Sequence, residues 1–426
     1  MGMEQKKIFA VIVVAVLLVA GIAAITLLGD EGKAEDVVGE NVDFVGREIQ
    51  VVEDLDNGIV AIGQDSFRWM TYFGLADKCI MIDINDRTNF MGKTFMYYGR
   101  ALADVDESDA NDFSHTNCGI TPADVANILN AQPSIVIVPE GFITDYPNEY
   151  KSLVDGGLNV LSIGYIYTFL EPETFKIVDS LKAQVNLLSK ALNLKDRGDE
   201  LIASINSFVG DIRSIAATAT VNKSAYIGAL AYNGAHGADS SIAYYMPFAL
   251  AGVNNILAGE EMDMMGSGVS TYSATKIKES IDAAEKAGSE VMLFLDATGL
   301  YMCSDMTSKG ILQMFEGHDA YVAFPYIWTG INYENILISA YQILKDAYGL
   351  LTQEQFEAKV NAVLDGFLGS HMSNRDMSIS QGPSAPTTPT TIYDDMNNVY
   401  MGRRSNPVYG EITIDSGGSM TFGVPA

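Results

Sequence analysis

Short apolar runs alternating with helix-length segments, in two separate stretches, limit what this chain can fold into more than any other feature. Residues 59–63, 79–84, 134–139 and 159–164 are brief runs dominated by aliphatic side chains, and 134–139 (Ser-Ile-Val-Ile-Val-Pro) is the richest in β-branched ones. Between them lie a helix-length stretch at 66–74 and a helix from Pro122 to about residue 131, with Thr121 as its N-cap. Another helix is expected over 148–155, ended by Gly156 and Gly157. Apolar strands separated by helices specify a parallel sheet covered on both faces. Residues 172–217 differ, being mostly helical with an interruption near 193–198. There Leu201, Ile205, Phe208 and Ile212 recur at spacings of three and four, an amphipathic stripe. The alternation then restarts, with strands expected over 225–230, 290–297 and 320–325 and helices over 241–252, 274–288, 334–349 and 353–368. A short β segment is expected near 46–52.

The expected fold class is therefore α/β, two lobes with mainly parallel sheets joined by a long helix. The lobes span 41–171 and 220–371, with 172–219 as connector. Residues 372–426 turn to Ser, Pro, Thr and Gly, a linker composition. Whether that tail adds a small β element near 410–415 or nothing ordered stays open.

Residues 8–28 form an apolar run behind Lys6 and Lys7. At about 1.5 Å per residue it spans roughly 31 Å, the hydrocarbon thickness of a bilayer. The lysines predict a cytoplasmic N-terminal side. The expectation is a single-pass anchor in the cell membrane, with 29–40 as spacer and the bulk of the chain on the extracellular side. A cleaved signal segment is the alternative, because Ala20, Ala23 and Ala24 offer small residues for cleavage; signal cores of about 7–15 residues are shorter than this run.

Composition narrows the partners. Fifty-four Asp and Glu against 26 Lys and Arg give a net charge of −28, which repels nucleic acid and anionic membrane surfaces. No nucleic-acid partner is expected, and the chain is read as a monomer. Three cysteines, Cys79, Cys118 and Cys303, are too few for a disulfide scaffold. His115 and Cys118 are spaced as half a zinc site, but no second pair follows, so no metal site and no cofactor are expected.

In open parallel sheets ligands bind beyond the C-terminal strand ends. The residues following the expected strands are rich in aromatic and cationic side chains: Arg68, Trp69, Arg87, Tyr97, Tyr98, Arg100 and Tyr165 in the first half, and Tyr232, His236, Ser240, Tyr326 and Trp328 in the second. Rings that stack and guanidinium groups that pair with carboxylates suit a large, flat, partly anionic ligand. Catalytic signals are poor. Ser273-Ala-Thr-Lys276 matches S-x-x-K without its companion motifs. No nucleophile elbow, H-E-x-x-H helix or phosphate-binding loop occurs, and four histidines leave little room for acid–base work. An enzyme is not expected.

Several segments carry a family resemblance. Val42-Asp-Phe-Val-Gly-Arg47, the stretch 66–78, the stretch 121–138, Gly234-Ala-His-Gly-Ala-Asp-Ser-Ser241 and the stretch 324–335 occur in order and at the spacing of one family. Over about residues 41–370 the chain resembles the substrate-binding proteins of ABC importers for iron chelates and corrinoids, the periplasmic-binding-protein class with a helical spine between lobes; the last two segments resemble a branch common in methanogenic archaea. The resemblance implies an extracellular receptor that captures an iron chelate, haem or corrinoid in an interlobe cleft and delivers it to an ABC permease and its ATPase. It also implies permease docking by Asp124, where the family usually carries glutamate. Ser134 departs from the family's usual aspartate, and the lipobox cysteine of many relatives is absent. An extracellular sensing or adhesion module that kept the fold without a permease is the alternative, and a tetrapyrrole chelatase-like enzyme a further one.

Overall fold

The computed structural model describes residues 41–63, 65–83, 98, 120–231, 236–260, 268–303, 310–327, 330–369 and 410–422. The apolar run 8–28 lies outside them. Among the described residues no helix is long and apolar enough to cross a membrane.

In the first lobe β1 (Ile59–Ala61), β2 (Cys79–Ile82), β3 (Ile135–Pro139) and β4 (Val160–Ile163) form one sheet in the order β2-β1-β3-β4, every pair parallel. Strands β1, β3 and β4 are buried along their whole length, as apolar strands with both faces covered must be. The second lobe contains β5 (Lys223–Gly228), β6 (Ser240–Ile242), β7 (Asn254–Asn255), β8 (Val269–Thr271), β9 (Glu290–Asp296) and β10 (Ala320–Ala323). Its parallel strands run β10-β9-β5-β7, while β6 and β8 pair antiparallel in a small sheet of their own. Counting only the parallel strands in chain order, both lobes share the arrangement second–first–third–fourth.

Strands β11 (Gly410–Ile414) and β12 (Met420–Phe422) extend the second sheet. β11 pairs antiparallel with β10, and β12 with β11. Ile412 and Ile414 are buried beside Leu293 and Val322. Of the two outcomes left open for the tail, the β element is the one adopted.

The helices are α1 (Ser66–Tyr72), α2 (Pro122–Ala131), α3 (Phe142–Asp145), α4 (Pro147–Asp155), α5 (Asp179–Ala191), α6 (Lys195–Ala216), α7 (Met246–Ala251), α8 (Ala274–Lys286), α9 (Ala297–Met302), α10 (Tyr333–Asp346) and α11 (Gln353–Leu368). The interrupted connector is α5 followed by α6, broken where Asn193 takes φ +55°. Helix α6 is about 33 Å long at 1.5 Å per residue, and its Leu201, Ile205 and Ile212 are buried. It does not join the lobes alone. One continuous apolar core holds Phe67 and Trp69 of α1, Ile205 of α6, Phe248 of α7, Leu337 of α10 and Phe367 of α11. Separate cores cover the outer faces, around Val60, Val136 and Leu153 in the first lobe and Leu293 and Phe315 in the second. Arg197 of α6 adds a polar tie, donating from Nε to the Tyr72 carbonyl at 2.7 Å and from one terminal nitrogen to the Gly366 and Phe367 carbonyls at 2.9 and 2.8 Å.

Two local expectations fail. Residues 46–52 form no strand, only an isolated bridge between Val42 and Glu48. The helix expected over 241–252 starts at Met246, with Pro247 in its first turn where a missing N–H costs nothing, and Ser240–Ile242 instead pairs with β8 as β6.

Candidate functional site

In sheets of this order the chain leaves the first and third strands in opposite directions, opening a crevice at their C-terminal ends. That point lies between β1 and β3 in one lobe and between β5 and β9 in the other.

Beyond β1, Gly63 and Asp65 both take positive φ, +77° and +68°, turning the chain into α1. Aspartate tolerates this left-handed conformation better than most side chains. One turn on, Arg68 is wholly buried. Its Nε lies 3.3 Å from Asp65 Oδ1, and its terminal nitrogens donate to the Ile331 carbonyl and, at 3.2 Å, to Asn332 Oδ1. The guanidinium carbon sits 4.7 Å from the Tyr98 ring centre and 5.4 Å from that of Tyr333. Tyr72 donates to Glu334 Oε2 at 2.5 Å, and Tyr333 to the Ile166 carbonyl at 2.9 Å. Residues 331–335 of the second lobe are thus bonded to three separate points of the first.

Burial sets the charge states here. It pushes the Asp65 carboxyl up, with Arg68 opposing. Burial also works against the Arg68 charge, but Asp65, Tyr98, Tyr72 and Glu334 outweigh it and hold the guanidinium firmly protonated. Burial, then the Glu334 carboxylate, raises the Tyr72 phenol. The cluster welds the lobes together and leaves no face of Arg68 toward solvent.

In the second lobe the chain leaves β5 through Ala229 at φ +63°. A Cβ at Gly299 would stand 2.0 Å from the Ala229 carbonyl oxygen and 2.7 Å from that of His236, so glycine is required for the loop to lie on α9. Tyr226 donates to the Ala238 carbonyl at 2.7 Å and Ser240 to the Leu230 carbonyl at 2.7 Å. His236 remains half-exposed at this end. Asp296, the last residue of β9, is fully buried and accepts from the backbone N–H of Thr298 at 2.8 Å and of Tyr326 at 2.7 Å. Burial raises its carboxyl to about 7 against the pull of those two donors.

Of the residues singled out in the sequence, Arg87, Tyr97, Arg100, Tyr232 and Trp328 lie outside the described residues. Arg68, Trp69 and Tyr98 are buried between the lobes rather than lining an open cleft, because α1 packs against residues some 260 positions later. Ser240 is buried, and its hydroxyl is spent on the Leu230 carbonyl. The Tyr326 ring is covered, its centre 4.9 Å from that of Tyr245. Tyr165 and His236 are partly exposed at the C-terminal strand ends. Tyr167, whose ring centre lies 6.3 Å from that of Tyr165, is 62% exposed and makes a second aromatic surface there. Asp124 faces its own helix: Oδ2 accepts from Thr121 N at 2.6 Å and Thr121 Oγ1 at 2.7 Å, while Thr121 Oγ1 accepts from Asp124 N. This capping box turns the carboxylate inward. Among the described residues no group of three or more His, Cys, Asp or Glu side chains could hold a metal ion.

No family model matches the chain, and no curated protein matches it. Solved structures with similar chain paths include an ABC transporter solute binding protein from Sulfurospirillum deleyianum, at 13% identity and TM-score 0.49, covering 77% of this chain and 94% of that one. The TroA-like periplasmic binding protein FepB from Veillonella parvula is 12% identical at TM-score 0.48, with 77% and 96% covered. The petrobactin-binding protein YclQ from Bacillus subtilis is 13% identical at TM-score 0.44, with 74% and 98% covered. The α/β assignment rests on the strand pairing itself, two mainly parallel sheets with helices packed on them.

Proposed function

We propose that this chain is an extracellular solute-binding protein that captures an iron chelate, haem or corrinoid at the C-terminal strand ends of its two lobes and hands it to an ABC permease. The observation that carries the reading is the repeated second–first–third–fourth strand order, which gives each lobe a crevice at the same end. The ordered family segments over residues 41–370 support it, as does the absence of a catalytic constellation in the sequence. In this reading residues 8–28 tether the protein at the outer membrane face beside its permease. Tyr165, Tyr167 and His236, the partly exposed residues beyond the strands, contact the solute in this reading, with Arg87, Arg100 and Trp328 as further candidates from the sequence. Replacing Tyr165 and His236 together by alanine should weaken binding of haem or cobalamin, followed by tryptophan quenching, at least tenfold. An unchanged affinity removes both from the site. Mass spectrometry of the mature N-terminus tests the tether, and a start near Ala24 excludes it.

The capping box at Asp124 favours a second reading, a sensing or adhesion module without a permease, since a carboxylate folded onto Thr121 is not presented outward. Stimulation of a cognate transporter's ATPase by the loaded protein decides between the two.

A further inference from the structure

The two lobes share a contact as well as a strand order. In the first, Glu140 directly follows β3, the third strand, and its Oε1 accepts from the backbone N–H of Tyr165, two residues past the fourth strand, at 3.2 Å. In the second, Asp296 ends β9, again the third parallel strand, and its Oδ2 accepts from the backbone N–H of Tyr326, three residues past the fourth, at 2.7 Å. Each carboxylate stands where a helix begins beyond the strand, and each receives a tyrosine amide from the neighbouring strand's exit. The surroundings repeat in kind. A Cβ on Gly141 would lie 3.4 Å from the Tyr165 hydroxyl, so that ring lies over the turn bearing Glu140. The Tyr326 ring packs against Tyr245, whose phenol faces Asp296.

We propose that Glu140 and Asp296 are a matched pair of positioning residues, each fixing the tyrosine-bearing segment that follows the fourth strand of its lobe. Neither carboxylate needs to touch a solute: each acts through the backbone of its tyrosine. In the second lobe the clamped segment is also held at its far end, where Asn332 N–H donates to the Tyr326 carbonyl at 3.0 Å and Arg68 to the Ile331 carbonyl. The Tyr326 segment is therefore fixed from both lobes, and the Tyr165 segment is held through Tyr333, which donates to the Ile166 carbonyl. This inference rests on the proposed function only in calling these segments part of a binding face; the clamps themselves are tested without any solute.

The experiment is hydrogen–deuterium exchange on the full chain, resolved to peptides covering 163–168 and 324–327. Glu140→Ala should raise exchange at Tyr165 about tenfold and leave Tyr326 alone, and Asp296→Ala should do the converse, the weight of one hydrogen bond to a charged acceptor. Glu140→Gln and Asp296→Asn, which keep an acceptor oxygen, should restore most of the protection. A pH series adds a readout that simple packing would not move. Among the described residues, the groups acting on Asp296 are the Tyr326 and Thr298 N–H groups and the Tyr245 phenol, none of them a cation. Burial raises the Asp296 carboxyl to about 7 while the Tyr326 N–H bond pulls it down, so the clamp itself favours the ionised form. Release of the Tyr326 segment should then shrink as pH climbs through about 7, where the carboxyl ionises, and Asp296→Asn should abolish the trend. Unchanged exchange at the clamped tyrosine in either alanine variant, an equal rise in both lobes, or the same pH profile in wild type and Asp296→Asn would each overturn the pairing.

Discussion

Arg68 illustrates what burial does to a charged side chain between two lobes. Its guanidinium shares a buried site with Asp65 and Glu334 and is bonded to Ile331 and Asn332. Taking it away leaves two carboxylates without their cation, so Arg68→Met should cost roughly 3–5 kcal/mol, measured by urea unfolding. A loss below about 1 kcal/mol would show that the cluster is not a weld. Asp296 makes a different prediction. Its folded-state value of about 7 stands above the ordinary carboxylate value, so its contribution favours folding fully at acid pH and is lost as pH rises through 7. Asp296→Asn should flatten the pH dependence of stability between about 4 and 7, read as melting temperature against pH. Neither role was legible in the sequence. Arg68 looked like a cleft arginine because it follows a strand, whereas its partners lie some 260 residues on. For Asp296 the bonding partner Tyr326 lies 30 residues on, beyond what the local pattern of the strand can show.

At the scale of elements, local chemistry specified most of the chain. The β-branched run before Pro139 and the Thr121–Pro122 start of α2 can be read directly, because each signal and its consequence lie within a few residues. Asp124→Ala should cost about 1 kcal/mol through the lost capping box and leave solute affinity unchanged, checked by thermal melts and a binding titration on one preparation. A drop in affinity would place Asp124 in the solute site instead. The segment 240–252 was harder, since its Ser, Ile and Tyr residues suit strand or helix and only pairing with β8 decides. The hairpin β11–β12 was ambiguous for the same reason, its partner β10 being about 90 residues earlier in the chain. It closes the edge of the second sheet and buries Ile412 and Ile414. A chain ending at residue 372 should therefore melt several degrees lower and associate through the exposed edge of β10, visible by light scattering. A stable monomeric truncation would mean that the hairpin contributes nothing.

For the whole molecule, the sequence announced two α/β halves but not that both halves order their strands alike, because sheet order depends on which distant strands meet. It announced a helical connector but not the shared core that α6, α7, α10 and α11 build between the sheets. That core, with the Arg68 cluster and the Arg197 ties, opposes large rotation of one lobe against the other, so solute capture should proceed with little change of overall shape in small-angle scattering. The net charge of −28 repels nucleic acid and anionic surfaces. Chelate capture at the C-terminal strand ends is the proposed function. Its most direct test is a thermal-shift panel of haem, cobalamin and a ferric siderophore on a fragment running from residue 41 to 426, so that the hairpin is kept. The account predicts that one of the three raises the melting temperature in a concentration-dependent way, as a ligand binding only the folded state must, and that Tyr165→Ala with His236→Ala reduces that rise. A flat response to all three at millimolar concentration would contradict it.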